Sequence, residues 1–315
     1  MMFSSRISSG HGRPELVAFL ASRFTYLSRE DWLDRIQTSH VLVNQHSSTP
    51  ETVLTSGDIV SYNLPSFEEP EADTNYNVVY EDEWMLAIDK PGNLLVHKAG
   101  KSITKNLVFL LRHASENPAY AHIHSASRLD RETSGLVLFA KTLECLRSLH
   151  RSFAGGIVDK EYIAVVHGIF AERSTTVNKP IGSADCAEIA YKFGVNEGRG
   201  KNALTNLEVI DVAGEYSLVR AKPLTGRTHQ IRVHCAAVGH PIVGDKLYGM
   251  DEADYIAWRS NPATHSHLLE FPRQALHCRR LAFLHPVTGE PMSLETAIPT
   301  DLAGLLKERT LTLRI

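Results

Sequence analysis

The sequence predicts an α+β protein with a mostly antiparallel, mixed sheet in its larger domain and a small α/β module in front. After residue 75, strand patterns outnumber helical patterns and do not alternate with them regularly, which argues against a doubly wound parallel sheet. Before residue 65, two helical patterns precede short strand patterns. We expect a module at 1–64, an acidic linker at 65–74 and the larger domain at 75–315.

The composition is that of a globular protein. Hydrophobic residues make up 43% and charged residues 22% of the chain, enough apolar material for a sizeable core. The net charge of −3 means that any nucleic acid must be bound through a local basic patch rather than an overall field. Four widely separated cysteines and the lack of a long apolar run predict a cytoplasmic protein without membrane contact. The Ser/Arg-rich start predicts a frayed terminus.

The module and linker are assigned from short patterns. GRPELVAFLASRF has the apolar spacing of a helix, and a second helix follows with Ser28 as its N-cap. HVLVNQ and SGDIVSYN each predict a strand. PSFEEPEADT contains proline and several acids, which is typical of a solvated linker.

The larger domain begins with two predicted strands in NVVYEDEWMLAIDK, followed by a Pro-Gly turn. GLVLFAKT is apolar on both faces and predicts a central strand. TLECLRSLHRSF predicts an amphipathic helix, and its expected buried face is Leu143, Leu146, Leu149 and Phe153. KEYIAVVHG and YSLVRAKPL predict further strands, and THQIRVHCAAVG predicts a helix that ends at Gly239.

Charged residues stand directly before the predicted central strand, in SRLDRETSG. Loops next to rigid strands are where catalytic residues tend to be presented, so Asp130 is a candidate carboxylate. Taken alone, this motif favours a plain surface ion pair between arginine and aspartate.

A second cluster lies in KPLTGRTHQIRVH, which has three basic residues, two histidines and no acid. This positive potential at a helix start favours an anion such as phosphate. Arg232 lies between apolar helix positions, so its stem should be partly buried and its guanidinium should need a carboxylate. His229 and His234 are five positions apart and do not converge on one metal ion. No phosphate loop, GxGxxG, HEXXH or GxSxG pattern occurs.

Four stretches together resemble the RluA-type pseudouridine synthases: DKPGNLLVH, SRLDRETSGLVLFAKT, TGRTHQIRVHCAAVGHPIVGDKLYG and RQALHCRRLAFLHPVTGE. They occur in that family's order and span the larger domain. LSRED, VLVNQ and SGDIV in residues 1–64 resemble the S4 RNA-binding module, which precedes the catalytic domain in the branch that acts on large-subunit ribosomal RNA. The acidic second helix departs from a typical RNA-binding face.

The resemblance implies roles for individual residues. Asp130 would be the catalytic carboxylate, Tyr162 the aromatic beside the uracil and Arg232 the partner of the carboxylate. Arg128 would enter the RNA stack where the uridine leaves it. The remaining predicted substrate contacts are Arg131, Arg227, His229, Gln230 and, lining the uracil pocket, Val243. Ser127 stands where the family usually has histidine, which predicts an altered RNA contact rather than lost activity.

The expected function is therefore isomerisation of specific uridines in structured RNA, through base flipping and an essential aspartate. Ribosomal RNA is the expected partner, no cofactor, nucleotide or metal is expected, and the protein should be a monomer. Three alternatives stay open. They are a synthase acting on transfer RNA, a non-catalytic RNA-binding or assembly factor, and a glycosidase-type hydrolase that pairs Asp130 with Glu132.

Overall fold

The computed structural model describes residues 2–24, 26–63, 69–184, 189 and 191–313. The chain forms two compact units. The first comprises residues 1–70 and 98–104, and the second comprises residues 71–97 and 105–315. Residues 65–68 of the predicted linker lie outside the described residues, and residues 69–74 contain neither helix nor strand. The short segment 98–104, which joins the first unit, is absent from the boundaries that we predict from the sequence.

The N-terminal unit has two α-helices and a four-stranded antiparallel sheet in its described part. The elements are β1 (Met2–Arg6), α1 (Leu16–Arg23), α2 (Arg29–Gln37), β2 (Val41–Val43), β3 (His46–Ser47) and β4 (Ile59–Asn63). The strand order is β1-β4-β2-β3. Trp32, Tyr62 and Phe24 are buried together under the helices and form much of this unit's core.

Two details of this unit bear on the sequence predictions. Ser28 caps α2 as expected, because its hydroxyl accepts a hydrogen bond from the backbone N–H of Asp31 at 3.1 Å. The prediction of a frayed start is wrong, since β1 pairs with β4 along its whole length. An edge strand gains its stability from backbone hydrogen bonds, and this one is too polar to show an apolar alternation.

The larger unit is built on a ten-stranded sheet. Its elements are β5 (Asn77–Glu81), β6 (Met85–Lys90), α3 (Leu107–Phe109), β7 (His124–Ser125), β8 (Ser134–Ala140), α4 (Leu143–Ala154), β9 (Asp159–His167), β10 (Ser174–Asn178), β11 (Ile181–Ser183), β12 (Phe193–Val195), β13 (Leu204–Ala213), β14 (Tyr216–Pro223), α5 (Gln230–Ala237), α6 (Glu252–Ser260), β15 (Leu276–Leu284), β16 (Pro291–Glu295) and α7 (Thr300–Glu308). The strand order is β10-β13-β14-β9-β15-β8-β6-β5, with β16 beside β15 and β7 beside β8.

The sheet is mixed but mostly antiparallel, which confirms the predicted α+β class. Among the described strand pairs of this sheet, only β15 and β8 run parallel. Strand β8 is buried along all seven residues, as its apolar pattern predicts for a central strand. None of the described helices is both long and apolar enough to cross a membrane.

Helices α4 and α5 follow their sequence patterns with one exception. In α4, Leu149 is buried as expected. Leu143 is 54% exposed, so the prediction that it lies on the buried face is wrong. Leu143 is the first residue of the helix, directly after the N-cap Thr142, and its side chain is left in solvent. Helix α5 buries Ile231 and Cys235 and stops before Gly239, whose φ of 85° is left-handed as expected at a helix end.

Gly135 in β8 allows the close approach of β15 near the predicted site. Its φ is 110°, and a Cβ added there would lie 2.2 Å from the carbonyl oxygen of Cys278. We expect Gly135→Ala to lower the free energy of unfolding by about 3 kcal/mol or more, because the contact is with backbone that cannot rotate away. Thermal unfolding measures the effect. Gly214→Ala is the matched control: φ is 57° with nothing within 4 Å, so only about 1 kcal/mol should be lost.

Candidate active site

The predicted carboxylate and arginine meet in the larger unit. Asp130 lies in the loop between β7 and β8, and Arg232 lies in the first turns of α5. The Nη1 of Arg232 donates a hydrogen bond to Oδ2 of Asp130 at 2.8 Å. The Arg232 side chain is 9% exposed and that of Asp130 is 29% exposed. A buried cation therefore holds a carboxylate that is still open on one side.

Arg232 is fixed from behind by a second carboxylate, Asp245. Its Nε and Nη2 donate to the two Asp245 oxygens at 2.6 and 2.9 Å, a bidentate pair. Asp245 has no exposed side-chain surface and also accepts from the backbone N–H groups of Leu247 and Tyr248. Asp245 lies in the quoted HPIVGDKLYG stretch, but the sequence alone indicates no role for it. The missed signal was that one buried arginine can satisfy two carboxylates.

The electrostatics of this cluster keep Asp130 ionised. Burial raises the pKa of its carboxyl, but the Arg232 guanidinium outweighs burial and holds the pKa below its usual range. His229 and hydrogen bonds from Arg232 and Gln274 act in the same direction. The arrangement therefore presents a partly open carboxylate that is charged at neutral pH.

The loop that carries Asp130 is anchored by a buried lysine. Lys90 is fully buried, and its Nζ donates to the backbone carbonyls of Pro91, Leu94 and Arg131 at 2.8, 2.8 and 3.1 Å. The three carbonyls can accept all three hydrogens of the protonated amino group and oppose the effect of burial, which lowers the pKa of Lys90 to about 7. Lys90 belongs to the quoted DKPGNLLVH stretch, but without the fold nothing shows that this ammonium binds the loop 41 positions away.

The Glu132 carboxylate forms a salt bridge and a backbone hydrogen bond within the protein. Its carboxylate accepts from Lys246 Nζ at 2.5 Å and from the backbone N–H of Gln274 at 3.2 Å. Lys246 also donates to the carbonyl of Pro272. A second catalytic acid, as in the glycosidase alternative, needs a carboxyl free to exchange protons, and this one is held in a salt bridge.

Tyr162 lies in β9, directly opposite Cys278 of β15. Its side chain packs against two apolar clusters of the larger unit. Burial raises the pKa of the phenol well above its usual range, and a hydrogen bond with the Cys278 thiol and the charge of Asp130 add to the effect. Tyr162 is therefore an un-ionised phenol close enough to Asp130 for the carboxylate charge to raise its pKa.

Among the predicted substrate contacts, Arg128 is exposed and makes no hydrogen bond or ion pair within the described part of the chain. The guanidinium of Arg131 instead donates to Asn93 Oδ1 at 2.9 Å and to the carbonyl of Glu71 at 2.7 Å. Arg227 is exposed, with its Nε on the carbonyl of Asn202. Of the three, Arg128 has the freest guanidinium.

Gln230 and Val243 are buried, whereas Arg128 is exposed. Gln230 is 4% exposed, and its amide makes four hydrogen bonds, to Thr225, Arg227, Leu204 and Thr205. These bonds use the whole hydrogen-bonding capacity of the amide and favour a structural role over the predicted RNA contact. Val243 is fully buried in the core beside β9, which favours packing.

Ser127 has a structural partner. Its Oγ accepts a hydrogen bond from the backbone N–H of Leu138 in β8 at 3.0 Å. The hydroxyl thus satisfies a strand donor that would otherwise be left partly buried without a partner.

Within the described residues, no three side chains of the types that bind metal come together.

Known proteins share this architecture and sequence. The family model described as RNA pseudouridylate synthase matches residues 85–237, a range that includes Asp130, Tyr162 and Arg232. The ribosomal large subunit pseudouridine synthase D of Zymomonas mobilis is 32% identical, covering 91% of each chain. The enzyme of the same name from Pseudomonas aeruginosa is 37% identical over 74% of this chain and 72% of its own.

A solved structure agrees with these sequence matches. Human RNA Pseudouridylate Synthase Domain Containing 1 is 26% identical, with a TM-score of 0.56, and the match covers 78% of this chain and 98% of the human one. The family model, the sequence identity over most of the chain and the matching fold therefore indicate the same family. The chain belongs to the RluA-type RNA pseudouridine synthases, enzymes that convert uridine in RNA to pseudouridine.

Proposed function

We propose that this protein isomerises specific uridines in large-subunit ribosomal RNA, with Asp130 as the essential carboxylate. The observation that carries the proposal is the contact at 2.8 Å between Asp130 and Arg232, whose other side is tied to the buried Asp245. The names of the bacterial relatives support ribosomal RNA as the substrate. Isomerisation transfers no group to a second molecule and changes no redox state, so the proposal includes no cofactor.

Access to the base requires that the uridine leave its stack. Flipping a base costs a few kcal/mol, which the protein must offset. Arg128 is exposed and without a protein partner among the described residues, so its planar guanidinium is free to fill the vacated place. We propose this role for Arg128 in preference to Arg131, whose guanidinium is occupied by Asn93 and Glu71.

The chemistry needs one ionised carboxylate at the reacting nucleoside. Addition to the uracil ring, attack at C1′ and removal of the C2′ proton all share this requirement. Asp130 meets it, because Arg232 lowers the pKa of its carboxyl while part of the side chain stays open. Tyr162, un-ionised at neutral pH, supplies an aromatic face for the uracil and a hydroxyl beside it.

We further propose that residues 1–64 form an S4-like RNA-binding module. Its two helices and four-stranded sheet support this, and one of the acids in α2 has a structural explanation. The Asp31 carboxylate accepts from the backbone N–H of Ser28 at 3.0 Å and completes a capping box. That acid is present for the helix and does not argue against an RNA contact elsewhere on the module.

The test is to incubate the purified protein separately with transcribed large-subunit ribosomal RNA and with transfer RNA. Pseudouridine is then mapped by carbodiimide treatment and primer extension. New pseudouridine in the ribosomal RNA is the expected result. Product in transfer RNA alone overturns the substrate assignment, and binding of RNA without product favours a non-catalytic factor.

The pH dependence of the reaction follows from the shifted pKa values. Asp130 has a lowered pKa, so its charge is present above the usual aspartate value of about 3.9 and is lost only below it. Burial, followed by Arg232, lowers the pKa of His229, so it stays neutral below the usual histidine value of about 6.5. We therefore expect the single-turnover rate at saturating enzyme to stay constant as pH falls from 7 through 6.5.

The measurement is a series of single-turnover rates down to the lowest pH at which circular dichroism shows a folded protein. A decline with a midpoint near 6.5 would contradict the assignment, because it would require an ordinary histidine in a reacting role.

A further inference from the structure

His229 lies between Tyr248 and Asp130, immediately before α5. Its Nδ1 is 2.8 Å from the Tyr248 hydroxyl, and its Nε2 is 3.9 Å from Oδ2 of Asp130, too far for a hydrogen bond. The His229 side chain is 18% exposed and that of Asp130 is 29% exposed. An atom of a bound molecule placed beside Asp130 can therefore also reach Nε2 of His229.

The hydrogen-bond network assigns the position of the imidazole proton. The backbone N–H of Phe193 can only donate, and it donates to the Tyr248 hydroxyl oxygen at 3.2 Å. Among the described residues, the single acceptor near that hydroxyl is Nδ1 of His229. The Tyr248 proton therefore points at Nδ1, and the proton of the neutral imidazole is on Nε2, the nitrogen that faces Asp130.

The surroundings keep this imidazole neutral and hold it in place. Burial and the Arg232 guanidinium lower the pKa of His229, and the charges of Asp130 and Asp245 oppose this only in part. The rings of Phe193 and Tyr248 both meet it edge to face, at centroid distances of 5.8 and 5.7 Å. Its φ of 56° is left-handed, a strained conformation that such packing can maintain at a functional site.

The reaction develops negative charge on the base. When the N1–C1′ bond breaks, its electron pair stays with the uracil and is delocalised onto O2 and O4. The pair that then joins C5 to C1′ comes from the ring, C5 loses its proton and N1 gains one. Addition of a carboxylate to the ring also places negative charge on a carbonyl oxygen. A fixed, uncharged N–H donor beside the carboxylate is suited to stabilise that charge on either route.

We propose that Nε2–H of His229 donates a hydrogen bond to O2 or O4 of the flipped uracil and stabilises the negative charge that forms on the base. The inference rests on the proposed function of Asp130, and it makes His229 a catalytic residue rather than an RNA-backbone contact. His229 keeps its proton throughout, so the step requires no acid or base beyond those of the isomerisation itself.

Two variants test the role. His229→Asn keeps the backbone, because asparagine tolerates a left-handed φ, but its shorter amide cannot place a donor at the Nε2 position. We expect its single-turnover rate to fall about 100-fold with little change in RNA affinity. Tyr248→Phe removes the hydroxyl that donates to Nδ1, so the His229 proton can move from Nε2 to Nδ1. We expect this variant to show a smaller fall in the single-turnover rate. His150→Asn, on the exposed face of α4, is the control and should react normally.

RNA carrying 2-thiouridine or 4-thiouridine at the target position identifies the oxygen, since sulfur is a weak hydrogen-bond acceptor. One of the two substitutions should slow the wild-type protein and slow His229→Asn much less, because the interaction is already lost. The inference is overturned if neither substitution slows the wild type, if both slow the two proteins equally, or if His229→Asn reacts at the normal rate. A wild-type protein that does not modify plain uridine RNA instead overturns the proposed function.

Discussion

Replacement of Asp130 by asparagine is expected to lower the rate of pseudouridine formation by about four orders of magnitude or more, while the protein stays folded. The amide has the size of the carboxylate but no charge, so it can act neither as a nucleophile nor as a base. Arg232 keeps its two bonds to Asp245 in the variant, and no buried charge is left without a partner. The measurement is single-turnover product formation on the mapped ribosomal RNA fragment.

Stability and RNA binding provide the controls for that variant. Because Asp130 is partly exposed, its loss should change the free energy of unfolding by about 1 kcal/mol or less. RNA affinity should also stay near the wild-type value, since no phosphate contact is removed. A folded, RNA-binding Asp130→Asn protein that still makes pseudouridine at a normal rate would remove the mechanism.

Replacement of Arg232 by methionine is expected to reduce both stability and activity. Asp245 would lose its guanidinium partner while having no exposed side-chain surface and only two backbone N–H donors. Removing one partner of a buried ion pair typically costs about 3–5 kcal/mol, and we expect a loss of that size in the free energy of unfolding. Asp130 would also lose the guanidinium that lowers the pKa of its carboxyl, so less of it would be ionised.

A double variant separates the two effects. Arg232→Met combined with Asp245→Asn removes the isolated buried charge and should recover a large part of the stability in urea unfolding. Activity should stay low in the double variant, because Asp130 still has no guanidinium. If activity returns together with stability, Arg232 serves only the fold and has no part in the chemistry.

Much of the fold follows from local patterns in the sequence. The apolar run of β8, the Ser28 cap of α2 and the end of α5 before Gly239 were all visible, because each depends on neighbouring residues. The exposed Leu143 and the strand β1 were not. Both depend on what the rest of the chain covers: one is an apolar residue left in solvent, and the other is a polar segment paired along a sheet edge.

The candidate site shows the same division between local and distant information. A partly buried arginine in α5 predicts a carboxylate partner, but its spacing alone does not show which one, and only the family resemblance pairs it with Asp130. The structure provides both Asp245, 13 positions away, and Asp130, 102 positions away. Lys90 was missed because the carbonyl acceptors of a buried ammonium leave no mark on the sequence.

The sequence by itself determined the α+β class, the motif blocks and Asp130 as the candidate carboxylate, since side-chain chemistry and local periodicity are properties of adjacent residues. The tertiary structure alone decided that Asp245 fixes Arg232, that the Gln230 amide makes all its hydrogen bonds within the protein and that Nε2 of His229 lies 3.9 Å from the Asp130 carboxylate. Those relations depend on the order in which β8, β9 and β15 pair and on where α5 packs. Hydrogen bonds act over about 3 Å, so they are set by which distant segments the folded chain brings together.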